Sequence, residues 1–168
     1  MTSLEERVGR LEDIEAIRLL MFRYAAAMDN DFDADTIASL FTENATWSIL
    51  PASDIAGTHV GREEIRRFFA TLTNEYAWTM HNMGNEQIRF ATDGRSAQGT
   101  WYLVDPCTML GPEAGRKDAV LITGRYDNTF VKVDGQWYCD KLRGTTYAVS
   151  TWAKGWVAEP WRPGISDE

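Results

Sequence analysis

The chain has 168 residues, of which 44% are hydrophobic, and this is enough for a single domain with a substantial core. Its 25 acidic residues outnumber its 17 basic ones, and the net charge of −8 argues against a nucleic-acid partner because such binding depends on clustered basic side chains. No apolar run is long enough to span a bilayer and no signal peptide opens the chain, so we expect a cytoplasmic protein without membrane contact.

The first predicted element is a long helix that begins after Ser3. Apolar residues recur at helical spacing along its length, and Ser3 with Glu6 forms the pattern of a capping box. Tyr24 lies on the apolar stripe, and Asp29 follows at the carboxyl end. Because the helix dipole disfavours a negative charge there, Asp29 either needs a cation or a donor as its partner or belongs to a simple polar turn.

The rest of the first half predicts two more helices and one short strand. Hydrophobic spacing and turn residues give a short helix over 36–41 capped by Asp33 or Asp35, a strand over 46–49, a loop over 51–60 and a third helix over 61–72.

The second half has the pattern of long strands. Four are predicted, over residues 78–91, 96–105, 118–132 and 136–148, with bulges or kinks at Gly84 and Gly124. Helices followed by a meander predict one α+β domain over residues 1–168. In it a cone-shaped, curved antiparallel β-sheet, an α+β barrel, encloses a pocket and carries three helices from the N-terminal half. The tail over 149–168 is rich in tryptophan, and we expect it to close the mouth of the cone or to pack on another subunit.

His81 is the candidate catalytic base. The chain has two histidines, and histidine is the side chain that titrates near neutral pH. His81 lies within a strand-like run flanked by aromatic residues, so it is either a working base or a core histidine satisfied by the backbone. His59 precedes the third helix and is predicted to lie on the surface.

Metal and cofactor sites are not predicted. The two histidines lack close-spaced partners for a metal, and there is no glycine-rich phosphate loop and no nucleophile motif. Cys107 and Cys139 have no CxxC spacing, so we expect free thiols.

Several short motifs along nearly the whole chain resemble the nuclear transport factor 2-like superfamily, specifically its SnoaL-like branch. Their order and spacing carry the resemblance: Ile14-Glu-Ala-Ile17, Tyr24-Ala-Ala-Ala-Met-Asp29, Leu40-Phe-Thr-Glu-Asn-Ala-Thr-Trp47, Gly61-Arg-Glu-Glu-Ile65, Met80-His81, Gly99-Thr-Trp-Tyr102 and Asp134-Gly-Gln-Trp-Tyr138.

Within this branch the chain is similar to the bile acid 7α-dehydratase, scytalone dehydratase and hexachlorocyclohexane dehydrochlorinase families, which eliminate without a cofactor. The resemblance implies that Asp29 and His81 form an acid–base pair and that Tyr24 assists the leaving group. For Tyr24 the alternative is an ordinary core tyrosine.

The remaining candidates are predicted to bind substrate. They are Trp47, Trp101, Tyr102, Asp105, Arg143 and Tyr147. The aromatic ones would line a pocket, with core packing as the alternative for each. Arg143 is the nearest candidate for the arginine near the last strand that the resemblance implies, and its role depends on the strand register, because a shift of one residue turns its side chain to the other face.

These residues and the resemblance predict a cofactor-independent lyase, a dehydratase-type enzyme that acts on a hydrophobic cyclic or aromatic small molecule. Three alternatives remain open: a dehydrohalogenase or an aldehyde-releasing lyase, an isomerase or polyketide cyclase, and a non-catalytic ligand-binding module. We also expect a homo-oligomer, either a dimer or a trimer.

Overall fold

The computed structural model describes residues 3–50, 57–111 and 113–163, which form a curled β-sheet with helices packed on it. The helices are Leu4–Asp29 (α1), Ala34–Ser39 (α2), Arg62–Phe69 (α3) and Gly155–Ala158 (α4), and Leu72–Asn74 forms a 3-10 turn. The strands are Phe41–Leu50 (β1), Thr58–Val60 (β2), Tyr76–Thr79 (β3), Asn82–Phe90 (β4), Ser96–Leu110 (β5), Lys117–Val133 (β6) and Gln136–Thr151 (β7). None of the helices in these residues is long and apolar enough to cross a membrane.

Local sequence explains how the first two helices begin. The Ser3 amide donates to Glu6 Oε2 at 2.7 Å and the Glu6 amide donates to Ser3 Oγ at 3.1 Å, which confirms the capping box. Asp33 caps α2, because its Oδ1 accepts the Thr36 amide at 3.1 Å. The helix predicted over 36–41 therefore occupies Ala34–Ser39, and β1 begins two residues after it ends.

The sheet has the order β2-β1-β7-β6-β5-β3, with β4 also paired to β5. The α+β class and the curled sheet agree with the prediction, but the sheet is mixed rather than antiparallel because β1 runs parallel to β7. These two strands are joined through α3 and the intervening strands, and a crossover of that length permits parallel pairing.

The single strand predicted over 78–91 is two strands. Thr79 of β3 pairs with Cys107, and Asn82 of β4 pairs with Val104, so both strands lie on the same edge of β5 with a break at residues 80–81. A register shift follows Gly84 in β4, as expected.

The second predicted bulge is also present. The β6–β7 register shifts at Gly124, where a Cβ atom would lie 2.6 Å from the Thr145 carbonyl oxygen. Only glycine therefore permits this close approach of the two strands.

The core lies between the second half of α1 and the inner face of the sheet. Ile17, Met21, Tyr24 and Met28 of α1 are buried, whereas Leu4 and Leu11 in its first half are exposed. Cys107 and Cys139 are buried free thiols. In the segment predicted as a loop over 51–60, Thr58–Val60 form β2, and residues 51–56 lie outside the described residues. Residues 164–168 of the tail also lie outside the described residues.

Candidate active site

The site is built around the break between β3 and β4. At this break two consecutive backbone amides leave the ladder with β5 and bond to carboxylates instead. The Met80 amide donates to Asp105 Oδ1 at 3.2 Å, and the His81 amide donates to Asp29 Oδ1 and Oδ2 at 3.0 and 3.1 Å. Side chains from the end of α1 and from the middle of β5 therefore both hydrogen-bond to the backbone of Met80 and His81.

The His81 ring completes the arrangement. Its Nδ1 lies 2.7 Å from Asp29 Oδ1, and its side chain is only 5% exposed. A carboxylate accepts but does not donate, so this contact places the ring proton on Nδ1 when the imidazole is neutral. The lone pair of Nε2 is then free on the opposite side of the ring.

Asp29 is held in its ionised form. Burial raises the pKa of Asp29, but hydrogen bonds from His81 and Thr79 outweigh it, and the pKa lies below its ordinary value of 3.8. Thr79 Oγ1 lies 3.1 Å from Asp29 Oδ1. The geometry matches that of a base held by a carboxylate that also stabilises the imidazolium.

Asp105 faces the other side of the ring. Its Oδ2 lies 3.9 Å from His81 Nε2, and its side chain is 4% exposed. Burial raises the pKa of Asp105, while the His81 ring and the Met80 amide oppose that shift only in part. The two carboxylates beside His81 therefore have opposite pKa shifts, which is common where one group stays ionised and its neighbour exchanges a proton.

His81 and Asp105 contribute to the wall of an apolar cavity of about 130 Å³. Its described lining is Met28, Phe32, Trp47, Ile49, Phe68, Leu72, Tyr76, Thr79, His81, Leu103, Asp105, Ile122, Tyr126, Thr146, Val149 and Trp161. A few polar groups converge within an otherwise apolar enclosure, the usual character of a small-molecule site. Asp29 is not among these lining residues, but it contacts His81 and Thr79, which are.

Of the predicted aromatic residues, only Trp47 lines the cavity. Trp47 Nε1 donates to the Tyr24 hydroxyl at 3.0 Å, and Tyr24 lies behind the cavity wall in the core. Trp101 points inward but packs on Phe130, with 5.9 Å between the ring centroids. For Tyr24 and Trp101 the position is therefore that of core side chains.

Tyr102, Arg143 and Tyr147 do not reach the cavity. Side chains alternate along β5, so Tyr102 points away from the interior that holds Asp105. Arg143 is exposed between buried Leu142 and Gly144, and Tyr147 occupies the outer side of the bulge opposite Gly124. Each of these three residues therefore lies on the outer face of the sheet, away from the cavity.

Most of the described lining residues were not predicted as site residues. Among them, Tyr76 and Tyr126 contribute phenol rings, and Trp161 belongs to the tail that was expected to close the mouth of the cone. Tyr126 lies in phase with Gly124 and Asn128 on the inner face of β6, and that alternation could have identified it. A β-bridge joins Trp161 to Val149, and both residues line the cavity.

His59 is not the surface residue that was predicted. Its ring stacks on Phe68 with 4.1 Å between centroids, and its Nδ1 lies 3.6 Å from Glu64 Oε1. It supports the cavity wall from behind. Within residues 3–50, 57–111 and 113–163, no group of three or more His, Cys, Asp and Glu side chains is placed to hold a metal ion.

Comparisons with known proteins agree with this fold. The sequence profile of the SnoaL-like domain matches residues 9–143. The chain is similar to the crystal structure of hexachlorocyclohexane dehydrochlorinase LinA type 2, with 22% identity and a TM-score of 0.76 over 95% of this chain and 99% of that one. A search of curated proteins found no match.

Two further structures are similar at the level of the fold. LinA type 3 from Novosphingobium barchaimii LL02 has 20% identity and a TM-score of 0.74, covering 88% of this chain and 94% of that one. A protein provisionally named a scytalone dehydratase, from Novosphingobium aromaticivorans DSM 12444, has 22% identity and a TM-score of 0.71, covering 85% and 89%.

Proposed function

Because the chain belongs to the SnoaL-like domain family, we propose that it is a cofactor-independent lyase that carries out dehydratase-type elimination on a hydrophobic cyclic or aromatic small molecule. The observation that carries the proposal is the 2.7 Å contact between His81 Nδ1 and Asp29 Oδ1 at the wall of an apolar cavity. The named activities of similar structures, a dehydrochlorinase and a provisionally named dehydratase, are consistent with it.

In this reaction His81 Nε2 removes a proton from a carbon of the substrate. The electron pair of the broken C–H bond forms a carbon–carbon double bond, and the bond from the neighbouring carbon to its hydroxyl oxygen breaks. The imidazolium, stabilised by Asp29, returns the proton to the departing oxygen, so that water leaves and His81 is neutral again. The proton balance needs no cofactor.

Asp105 lies where it can accept a hydrogen bond from a substrate hydroxyl, or donate one when it is protonated. Tyr24 cannot touch the reacting atoms from its position behind the wall, and we assign it a positioning role through Trp47. Trp47 is itself part of the lining, so Tyr24 acts on substrate indirectly.

Hydrogen exchange in a simple ketone tests His81 as the base without requiring the natural substrate. A cyclic ketone incubated with the protein in D₂O should exchange its α-hydrogens, and NMR measures the rate. His81→Ala should lower the exchange rate by roughly 100- to 10,000-fold, since this is what a positioned general base contributes. Asp29→Asn should also lower it strongly, because the amide cannot stabilise the imidazolium.

Asp35→Asn is the matched control, because the Asp35 side chain is 87% exposed on α2. It should leave the exchange rate unchanged. Ligand binding by the His81→Ala variant, measured by tryptophan fluorescence, separates lost chemistry from lost binding. Equal exchange rates in wild type and His81→Ala would remove His81 as the base, and ligand binding without any exchange would favour a non-catalytic module.

A further inference from the structure

Two phenol groups in the cavity have no role in the reaction described above. Tyr76 on β3 and Tyr126 on β6 both contribute to the lining, together with Asp105 and His81. Tyr126 is 3% exposed. A phenol at the wall of a cavity can donate its proton to a ligand there while its oxygen accepts a hydrogen bond from the protein.

The surroundings of Tyr126 orient its hydroxyl. The Tyr24 ring meets it edge to face, with 6.2 Å between centroids, and the Tyr24 hydroxyl accepts from Trp47 Nε1 at 3.0 Å. Burial raises the pKa of both tyrosines, and their mutual hydrogen bond raises the pKa of Tyr24 further but lowers that of Tyr126, as expected when Tyr24 donates to the Tyr126 oxygen. The proton of Tyr126 is then left for the cavity.

Tyr76 is placed similarly on the neighbouring wall. Its ring packs on Phe32 with 5.4 Å between centroids. Burial, followed by the nearby Cys107 and Asp105, raises the pKa of Tyr76, and burial also raises that of Tyr126. Both phenols therefore stay neutral and act as hydrogen-bond donors.

The charge and size of the cavity restrict what these donors bind. No lysine or arginine is among its described lining residues, and the buried Asp105 disfavours an anionic ligand. A cavity of about 150 Å³ in another protein accommodates one benzene ring, and the cavity here measures about 130 Å³. These features favour a neutral ligand of which about one ring fits within the cavity.

We propose that the hydroxyls of Tyr76 and Tyr126 bind the oxygen of a neutral, single-ring ketone or alcohol. The inference rests on the proposed function, because it specifies the substrate class of that site. Held by two donors, a carbonyl oxygen is polarised, and the negative charge that reaches it when His81 removes the neighbouring proton is stabilised. Tyr76 and Tyr126 then bind substrate, with Tyr24 as a positioning residue for Tyr126.

The test compares two ligands of nearly equal shape. Cyclohexanone has the oxygen that the phenols would bind, and methylenecyclohexane replaces it with a CH₂ group. Affinity is measured by titration calorimetry or by the fluorescence of Trp47 and Trp161, which line the cavity. The variants are Tyr126→Phe, Tyr76→Phe and the double variant, with Tyr102→Phe on the outer face as the control.

Each phenylalanine substitution should weaken cyclohexanone binding by roughly two- to tenfold, the effect of one hydrogen bond, and the double variant by about the product. Methylenecyclohexane affinity should stay constant, and Tyr102→Phe should match wild type for both ligands. Cyclohexanone binding that is unchanged in the double variant overturns the proposal. So does an equal loss for both ligands, because that would indicate an altered cavity shape.

The same titrations in a His81→Ala background distinguish the two proposals. If the phenols bind oxygen but His81 is not a catalytic base, the tyrosine variants still lose affinity for cyclohexanone alone, and His81→Ala exchanges α-hydrogens as fast as wild type. If the phenols have no such role, wild-type protein exchanges α-hydrogens and both tyrosine variants retain full ketone affinity.

Discussion

Asp29 and Asp105 show how the environment of single residues sets their chemistry. Both bond to a backbone amide at residues 80–81, and both approach the ring of His81. Asp29 receives several hydrogen bonds, and its pKa falls despite burial; Asp105 receives one, and burial raises its pKa. The same residue type is therefore stabilised as an anion at one position and destabilised at the other.

The shift at Asp105 predicts a cost in stability. A carboxyl group whose pKa is raised by folding binds its proton more tightly in the folded state, so its ionisation destabilises the protein as pH rises above the unfolded value of 3.8 and through the folded pKa. Asp105→Asn removes the charge and keeps the Oδ1 acceptor for the Met80 amide. At pH 7.5 the melting temperature should rise, by about 2–4 °C for each 1 kcal/mol of destabilisation that the substitution removes.

Calorimetry at a series of pH values checks the sign of this effect. The difference between Asp105→Asn and wild type should shrink as pH falls through the folded pKa and vanish below 3.8, where Asp105 is protonated in both states. Asp35→Asn, an exposed acidic residue, should change stability by less than about 0.5 kcal/mol. A constant difference at all pH values would show that the ionisation of Asp105 is not its cause.

At the scale of elements, irregularities in the strands place the site. The break between β3 and β4 directs the His81 ring to the inside of the sheet, and the register shift after Thr146 places Val149, as well as Thr146, on the inside. Such interruptions change which face a side chain occupies. Sequence alternation alone cannot determine the faces beyond them.

The two bulge glycines should differ in their tolerance of alanine. At Gly124 a Cβ would lie 2.6 Å from the backbone oxygen of Thr145, whereas at Gly84 no atom lies within 4 Å. Gly124→Ala should therefore lower the free energy of unfolding by about 1–3 kcal/mol, because the β6–β7 ladder must move apart. Gly84→Ala should be neutral or stabilise by up to about 1 kcal/mol. Urea denaturation measures both, and equal effects would contradict a steric requirement specific to Gly124.

At the scale of the whole molecule, curling divides the sheet into an inner face that encloses the cavity and an outer face with exposed apolar side chains. Tyr102 and Val104 on β5 and Tyr147 on β7 are each about half exposed on this face, with Thr123 and Arg125 of β6 between the two strands. Exposed apolar side chains grouped on one sheet face are typical of a protein contact surface. We expect this face to be buried at the subunit interface of a homo-oligomer.

Sedimentation of a matched pair of variants tests this expectation. Val104 and Val133 are 48% and 47% exposed, but Val133 lies at the end of β6, far along that strand from Thr123, which pairs with Val104. Val104→Glu should shift a dimer or trimer to monomer, because a charge within a buried interface is costly. Val133→Glu should sediment like wild type. A monomeric wild-type protein would contradict the expectation.

Much of the fold follows from local sequence. Capping residues fix the starts of α1 and α2, hydrophobic spacing identifies three helices, and alternation with turn residues identifies the long strands. These signals are local because they depend on residues within a few positions of one another. The parallel pairing of β1 with β7 involves contacts about 100 residues apart, as between Phe41 and Cys139, and no local signal specifies it.

The residues of the candidate site divide in the same way. The sequence by itself determined that Asp29 ends the first helix in need of a donor and that His81 lies in a strand region, because both facts depend on nearby residues. Only the tertiary structure decided that they meet, that Tyr126 faces the cavity while Tyr24 lies behind it, and that Arg143 faces out. The reason is physical: breaks and bulges reverse the face of a strand, and they are stabilised by contacts between distant parts of the chain.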